Sequence, residues 1–339
     1  MTEILWRVRL VAMLLAVTQI GTINAQVEVR AGYFPNISHP QALVGKAQGA
    51  FERSLAPGFR VEWKEFNAGP SVIEAILAGA LDLAYIGPGP TLNGYIQSHG
   101  DALRVVGGAC SGGASLVVRE GAGIVKASDF HGKRVASPQL GNTQDVALRA
   151  WLHSQGLAAT DNGGDVQVLP LSNPDQLTLF LNRELDAAWA PEPWATRLIE
   201  EGHGRLFLDE RTLWPNGQFV TAHLIVRTEF LRQHPEVVRR WLSTHVDLTD
   251  WINSHPAEAK RLLNGEIQKN TGKALPAAEL DEAFARLTPT WDPLRCTLAA
   301  SAQASVQAGA LHRLPDLSGL YDLTLLNQVL TEKKKKVIP

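Results

Sequence analysis

The sequence predicts a two-lobed α/β protein, each lobe a mostly parallel sheet flanked by helices, with two chain crossings between the lobes as a hinge. Three observations carry that prediction. Short apolar strands alternate with helical stretches, the same order returns about a hundred residues later, and the remainder of the chain is helical without a second set of strands. The 339 residues have room for about two domains. With 45% hydrophobic and 19% charged residues the chain is an ordinary globular one, which excludes disorder and coiled coil. A formal net charge of −2 offers no basic stripe for displacing counterions from nucleic acid, so none is expected as a partner. Two cysteines make neither a disulfide scaffold nor a CxxC metal site.

Taken in order, the elements begin with an address. Arg7 and Arg9 precede the apolar residues 10–20, and Ile23-Asn24-Ala25 ends in a small residue before Gln26, the pattern of a cleaved secretory signal peptide. The stretch falls short of the ~20 apolar residues that span a bilayer. A periplasmic destination follows, where Cys110 and Cys296 are able to oxidise. From Gln26, residues 27–32 alternate as a strand, 35–40 break it, and 42–54 suit a helix. A strand over 60–66 comes next. Pro70 then sits where a first helical turn tolerates it, Val72, Ile73, Ile76 and Leu77 share one helical face, and Gly79 stops the helix. Residues 81–86 and 103–109 read as strands.

The second lobe repeats the first. Residues 133–137, 165–169 and 186–189 are strand-like, and 142–155 and 175–181 helical. A shift of 104 residues lays Leu81, Asp82, Ala84 and Tyr85 on Leu185, Asp186, Ala188 and Trp189. After a strand over 219–227, Val237, Val238, Trp241, Leu242, His245, Leu248 and Ile252 keep a 3.6-residue stripe, and further helices begin near Pro256, Pro276 and Thr297. The expected organisation is a signal peptide (1–25), lobe I in two parts (26–113 and the helical return 221–330), lobe II (114–220) and a solvated basic tail (331–339).

Ligand sites favour interdomain clefts and the carboxyl ends of parallel strands, which here are the loops 33–40, 87–91 and 138–144. The last runs into a helix whose free N–H groups favour an anion, with Asn142 and Thr143 adding side-chain donors; Ser38 does the same in the first lobe. None of the three loops contains Lys or Arg, so an anion held there is gripped by neutral donors. Ordinary helix capping uses the same residue types.

The run Gly32-Tyr33-Phe34-Pro35-Asn36-Ile37-Ser38-His39-Pro40-Gln41-Ala42 resembles the opening of the periplasmic sulfonate, taurine and nitrate binding proteins of ABC importers, the aliphatic sulfonate branch above all. The similarity continues through Gly87-Pro88-Gly89-Pro90, residues 139–147, Trp189-Ala190-Pro191-Glu192-Pro193-Trp194 and Gly217-Gln218-Phe219-Val220. The resemblance implies a type II clamshell that closes on its ligand and docks on an inner-membrane permease, a monomer without cofactor, metal or chemistry on the ligand. It further implies that Asn36, Ser38 and His39, with Gly87 and Pro88, lie at the mouth of lobe I. Gly141, Asn142 and Thr143 would be the donors of lobe II, and Glu192 and Trp194 the far wall, a carboxylate for an amine and an indole for apolar groups.

Enzyme readings weigh less. Gly108-Ala109-Cys110-Ser111-Gly112 imitates a nucleophile elbow, but the chain continues into another strand instead of a helix. Desulfinases, which cleave carbon–sulfur bonds, share the resembled fold and carry their cysteine near the first-strand loop, where this chain has Asn36. A sensor domain coupled to a membrane kinase is a weaker alternative. The histidines lack the clustered spacing of a metal site.

Overall fold

A computed structural model of the chain describes residues 26–307 and 311–339; the expected signal peptide lies outside the described residues. Two sheets organise it. Lobe I holds β1 (Val27–Tyr33), β2 (Phe59–Glu65), β3 (Leu83–Ile86), β4 (Leu103–Gly112), β10 (Val220–Arg227) and β11 (Leu287–Pro289), in the order β11-β4-β10-β3-β1-β2. Lobe II holds β5 (Ala114–Arg119), β6 (Arg134–Ser137), β7 (Gln167–Pro170), β8 (Ala187–Pro191) and β9 (Gly204–Asp209), in the order β7-β6-β8-β5-β9. In each lobe three strands are parallel, and an antiparallel strand lies against the third of them: β10 against β3, β5 against β8.

That fourth strand explains the hinge. β4 closes lobe I and continues through Gly112-Gly113 into β5 of lobe II, while β9 closes lobe II and the chain returns to lobe I as β10. Both glycines have positive φ (75° and 81°), the region that glycine alone enters without cost. A Cβ on Gly112 would lie 2.6 Å from the Arg286 carbonyl, so the position also needs the space.

The repeat seen in sequence is a repeated set of contacts. The Arg30 N–H donates to Asp82 Oδ2 at 2.9 Å, and the Arg134 N–H, 104 positions on, donates to Asp186 Oδ2 at 2.9 Å. A second arginine from the antiparallel strand completes each cluster: Arg227 on Asp82 at 3.0 Å and Arg119 on Asp186 at 3.2 Å. Burial works against the Asp82 charge, but Arg30 and Arg227 outweigh it and hold the carboxyl below the usual range. A carboxylate whose folded pKa is depressed stabilises above its unfolded pKa, and the gain fades as pH falls through the folded value. Asp82→Asn is therefore expected to cost about 2 kcal/mol at neutral pH in urea unfolding, and less in acid.

Strand periodicity builds the cores. On β3, Leu83 and Tyr85 face one apolar cluster and Ala84 and Ile86 the other; on β8, Ala187 and Trp189 separate from Ala188 and Ala190 in the same way. Each sheet is thus covered on both faces. In lobe I the cover comes from α1 (Pro40–Gln48), α2 (Ala50–Leu55), α3 (Gly69–Leu77), α4 (Pro88–Gln97) and the returning helices. Lobe II is covered by α5 (Thr143–Ser154), α6 (Asn173–Leu181) and α7 (Trp194–Glu200). The return comprises α8 (Thr228–Gln233), α9 (Pro235–Ser254), α10 (Pro256–Thr271), α11 (Ala277–Ala285), α12 (Arg295–Gln307) and α13 (Thr324–Glu332). The α9 stripe from Val237 to Ile252 is buried as its spacing predicts.

Four expectations need correction. The helix expected over 42–54 breaks at Gly49, whose φ of 63° ends α1 and starts α2. Leu77 turns out to solvent while Val72, Ile73 and Ile76 turn in. The return contributes one short strand, β11, beside β4. The basic tail is exposed at Lys334 and Lys336 but tied down beside them: Lys333 and Lys335 pair with Asp247 and Asp250 of α9, each at 2.7 Å, and the Ile338 backbone bonds the Asn327 amide. Opposite charges on α9 and a buried Ile338 supply what a run of lysines alone conceals.

Candidate functional site

The loops that follow all six parallel strands meet between the lobes. They frame a narrow recess, lined from lobe I by Phe34, Asn36, Ser38, His39 and residues 67–69 and 86–87, from lobe II by residues 142–144, 173 and 191, and by Thr221 and Ala222. Five of these loops lead directly into helices of nine residues or more, namely α1, α3, α4, α5 and α6, and their cap or first-turn residues are among the lining. Helix N-termini present unpaired N–H groups and the positive end of the dipole, so the recess is electropositive without a cation. Among the described residues no Lys, Arg, Asp or Glu lines it.

Of the sequence-predicted residues, Asn36, Ser38, His39, Gly87, Asn142 and Thr143 all line the recess. His39 is buried, and burial pushes its imidazole down to about 4, so it is neutral at pH 7. Its Nε2 lies 3.1 Å from the Phe34 N–H, which fixes the loop after β1. Asn36 Oδ1 and Asn173 Oδ1 are buried without a protein partner. Amide oxygens in that condition can accept from a donor on a guest.

The other four stand elsewhere. Pro88 turns to a separate cavity. Gly141 serves the loop: its N–H donates to Asp145 Oδ2 at 2.9 Å and its carbonyl accepts from Asn93 Nδ2 at 3.4 Å. Glu192 is fully buried and absent from the recess. Its carboxylate accepts from the Thr196 N–H at 3.1 Å and pairs with Arg286 at 2.9 Å. Trp194 lines an outer chamber of about 1020 Å³ that adjoins the recess through Phe34, Asn36, Asn67 and Asn173. The Arg197 guanidinium sits 4.7 Å over that indole, and Arg197 and Lys273, the chamber's two cations, both pair with Glu201.

Sequence reasoning passed over Asn67-Ala68-Gly69 and Asn173, which follow β2 and β7. The repeat contained the signal: the same shift of 104 that equates the strands puts Asn173-Pro174 on Gly69-Pro70 and Asn142 on Ser38.

The jaws are shut. Gly89 N–H points to Thr143 Oγ1 at 3.4 Å, Ile37 N–H donates to the Glu192 carbonyl at 3.3 Å, and Lys273 reaches Glu201 at 3.1 Å, all across the cleft. Cys110 lies buried inside β4, away from the recess, with its thiol pushed up to about 12 by burial; Cys296 is exposed and the two are not joined. The elbow reading therefore fails on position.

Two lobes of one topology, closing on a neutral pocket at their strand ends, define a solute-binding clamshell. The chain belongs to the NMT1-like family, which it matches over residues 24–264. The taurine-binding periplasmic protein of Escherichia coli is 27% identical over 237 residues, 69% of each chain. The alkanesulfonate-binding protein of Xanthomonas axonopodis pv. citri, solved with MOPS, superposes with a TM-score of 0.71 at 22% identity, covering 87% of this chain and 97% of that one. The same fold extends to the desulfurization enzyme DSZB, with a TM-score of 0.60 at 16% identity over 91% of this chain and all of that one.

Proposed function

We propose that the protein is the periplasmic solute-binding component of an ABC importer. It holds a small organic oxyanion, an aliphatic sulfonate, in the recess and delivers it unaltered to an inner-membrane permease. The observation that carries this reading is the convergence of five helix N-termini on a pocket without a charged side chain. A sulfonate has one negative charge shared over three oxygens, which suits several N–H donors better than one strong cation. A doubly charged phosphate monoester would bury twice the charge on the same neutral donors. The outer chamber, with Pro35, Leu177 and Trp194 on its walls, takes the organic part. The protein works as a monomer, with residues 26–113 and 221–330 as one jaw and 114–220 as the other.

Titration calorimetry against alkanesulfonates, taurine, nitrate, sulfate and phosphonates tests it. One sulfonate per protein is expected, at about −8 kcal/mol for micromolar affinity, with the ligand recovered intact. No sulfonate binding, or release of sulfite from a sulfonate or sulfinate, overturns the proposal. Asn142→Ala combined with Thr143→Ala is expected to weaken binding at least about fivefold, ~1 kcal/mol, with the folding midpoint held; unchanged affinity removes both side chains from the site.

A further inference from the structure

We propose that a second cavity, walled by both lobes and adjoining the recess at Thr143, is a binding site for a hydrophobic small molecule ending in a hydroxyl or amine. The cavity has room for about 370 Å³ and opens to solvent. Lobe I supplies Leu92 of α4 and Leu298 of α12, and lobe II supplies Val146 and Trp151 of α5 together with Trp214, which stacks on Phe219 at 5.8 Å. So apolar a lining favours a guest that leaves water.

Glu210 and Trp214 interrupt it away from the recess. Glu210 faces the cavity at only 4% exposure, with one oxygen accepting from the Trp189 Nε1–H at 2.9 Å; burial pushes its carboxyl up to about 7. The Trp214 indole N–H is directed at the same carboxyl and lowers its proton affinity. A hydroxyl or amine entering the cavity would donate to Glu210, while its ring or chain fills the apolar space. Of the serine hydroxyls on the wall, Ser154 donates to the Trp151 carbonyl, Ser301 to that of Thr297 and Ser305 to that of Ser301; Thr143, at the recess end, takes the Gly89 N–H. Glu210 is the one ionisable group among the described lining residues.

The fluorescent amine N-phenylnaphthylamine, which carries no sulfonate, probes the site in the full-length protein. Its emission is expected to rise saturably on binding, and naphthol is expected to displace it at least about tenfold more tightly than methoxynaphthalene, which lacks the donor. Ala147→Phe from lobe II and Ser301→Phe from lobe I fill the cavity from opposite walls; whichever unfolds cooperatively like the parent is expected to lose the signal. No saturable emission, equal displacement by naphthol and methoxynaphthalene, or an undiminished signal in a folded filled variant overturns the proposal.

Discussion

Gly87→Ala is expected to lower affinity for the recess ligand about a hundredfold, ~2.7 kcal/mol, while the unfolding midpoint of the ligand-free protein stays where it was. The residue has φ −77°, which alanine adopts freely, and within lobe I a methyl group there meets nothing closer than the Thr221 carbonyl at 3.3 Å. Across the cleft the added Cβ falls 2.0 Å from Thr143 Oγ1 and 3.1 Å from its Cβ. Rotation of the threonine relieves the first contact and leaves the second. The methyl is thus a wedge felt only when the jaws shut, and a ligand that binds the shut form loses whatever free energy that form loses. Gly89→Ala adds a second wedge, against the Thr143 backbone at 3.1 to 3.2 Å. Calorimetry reads the affinity, and small-angle scattering with ligand present reads the wider angle. Affinity within about twofold of the parent would show that closure does not need this contact.

The fold was legible because strand and helix announce themselves locally, by alternation, by Gly and Pro at the ends and by the 104-residue echo between the two lobes. The recess was half legible for the same reason. Ser38 and Asn142 stand ahead of helices, where their chemistry is conspicuous, whereas Asn173 is the first residue of α6 and looks like an ordinary helix start. Long-range pairing was not legible. Glu192 reads as a wall residue until its partner is found 94 positions away, and the lysines near the C-terminus read as solvated until α9 presents Asp247 and Asp250. Helix faces fix which residues look inward, but not which charges meet.

That distant partner makes Arg286→Met the variant with the largest expected loss of stability, about 3–5 kcal/mol in urea unfolding at neutral pH. Arg286 follows α11 in the return to lobe I, and Glu192 follows β8 in lobe II, so the 2.9 Å pair ties the lobes beside the hinge. Burial raises the Glu192 carboxyl while Arg286 holds it down, and burial is the stronger of the two. Remove the guanidinium and only the raising influence remains opposed by the Thr196 hydrogen bonds. An acid with folded pKa above its unfolded value binds more protons folded than unfolded, so stability falls as pH rises between the two values. The deficit of Arg286→Met is therefore expected to shrink in mild acid and grow toward alkaline pH. Glu192→Gln on the same background removes the stranded charge, keeps an acceptor for the Thr196 N–H, and is expected to restore about half of the loss and flatten the pH dependence. A deficit independent of pH would show that the cost lies in lost packing at α11, and that the buried charge is neutralised some other way.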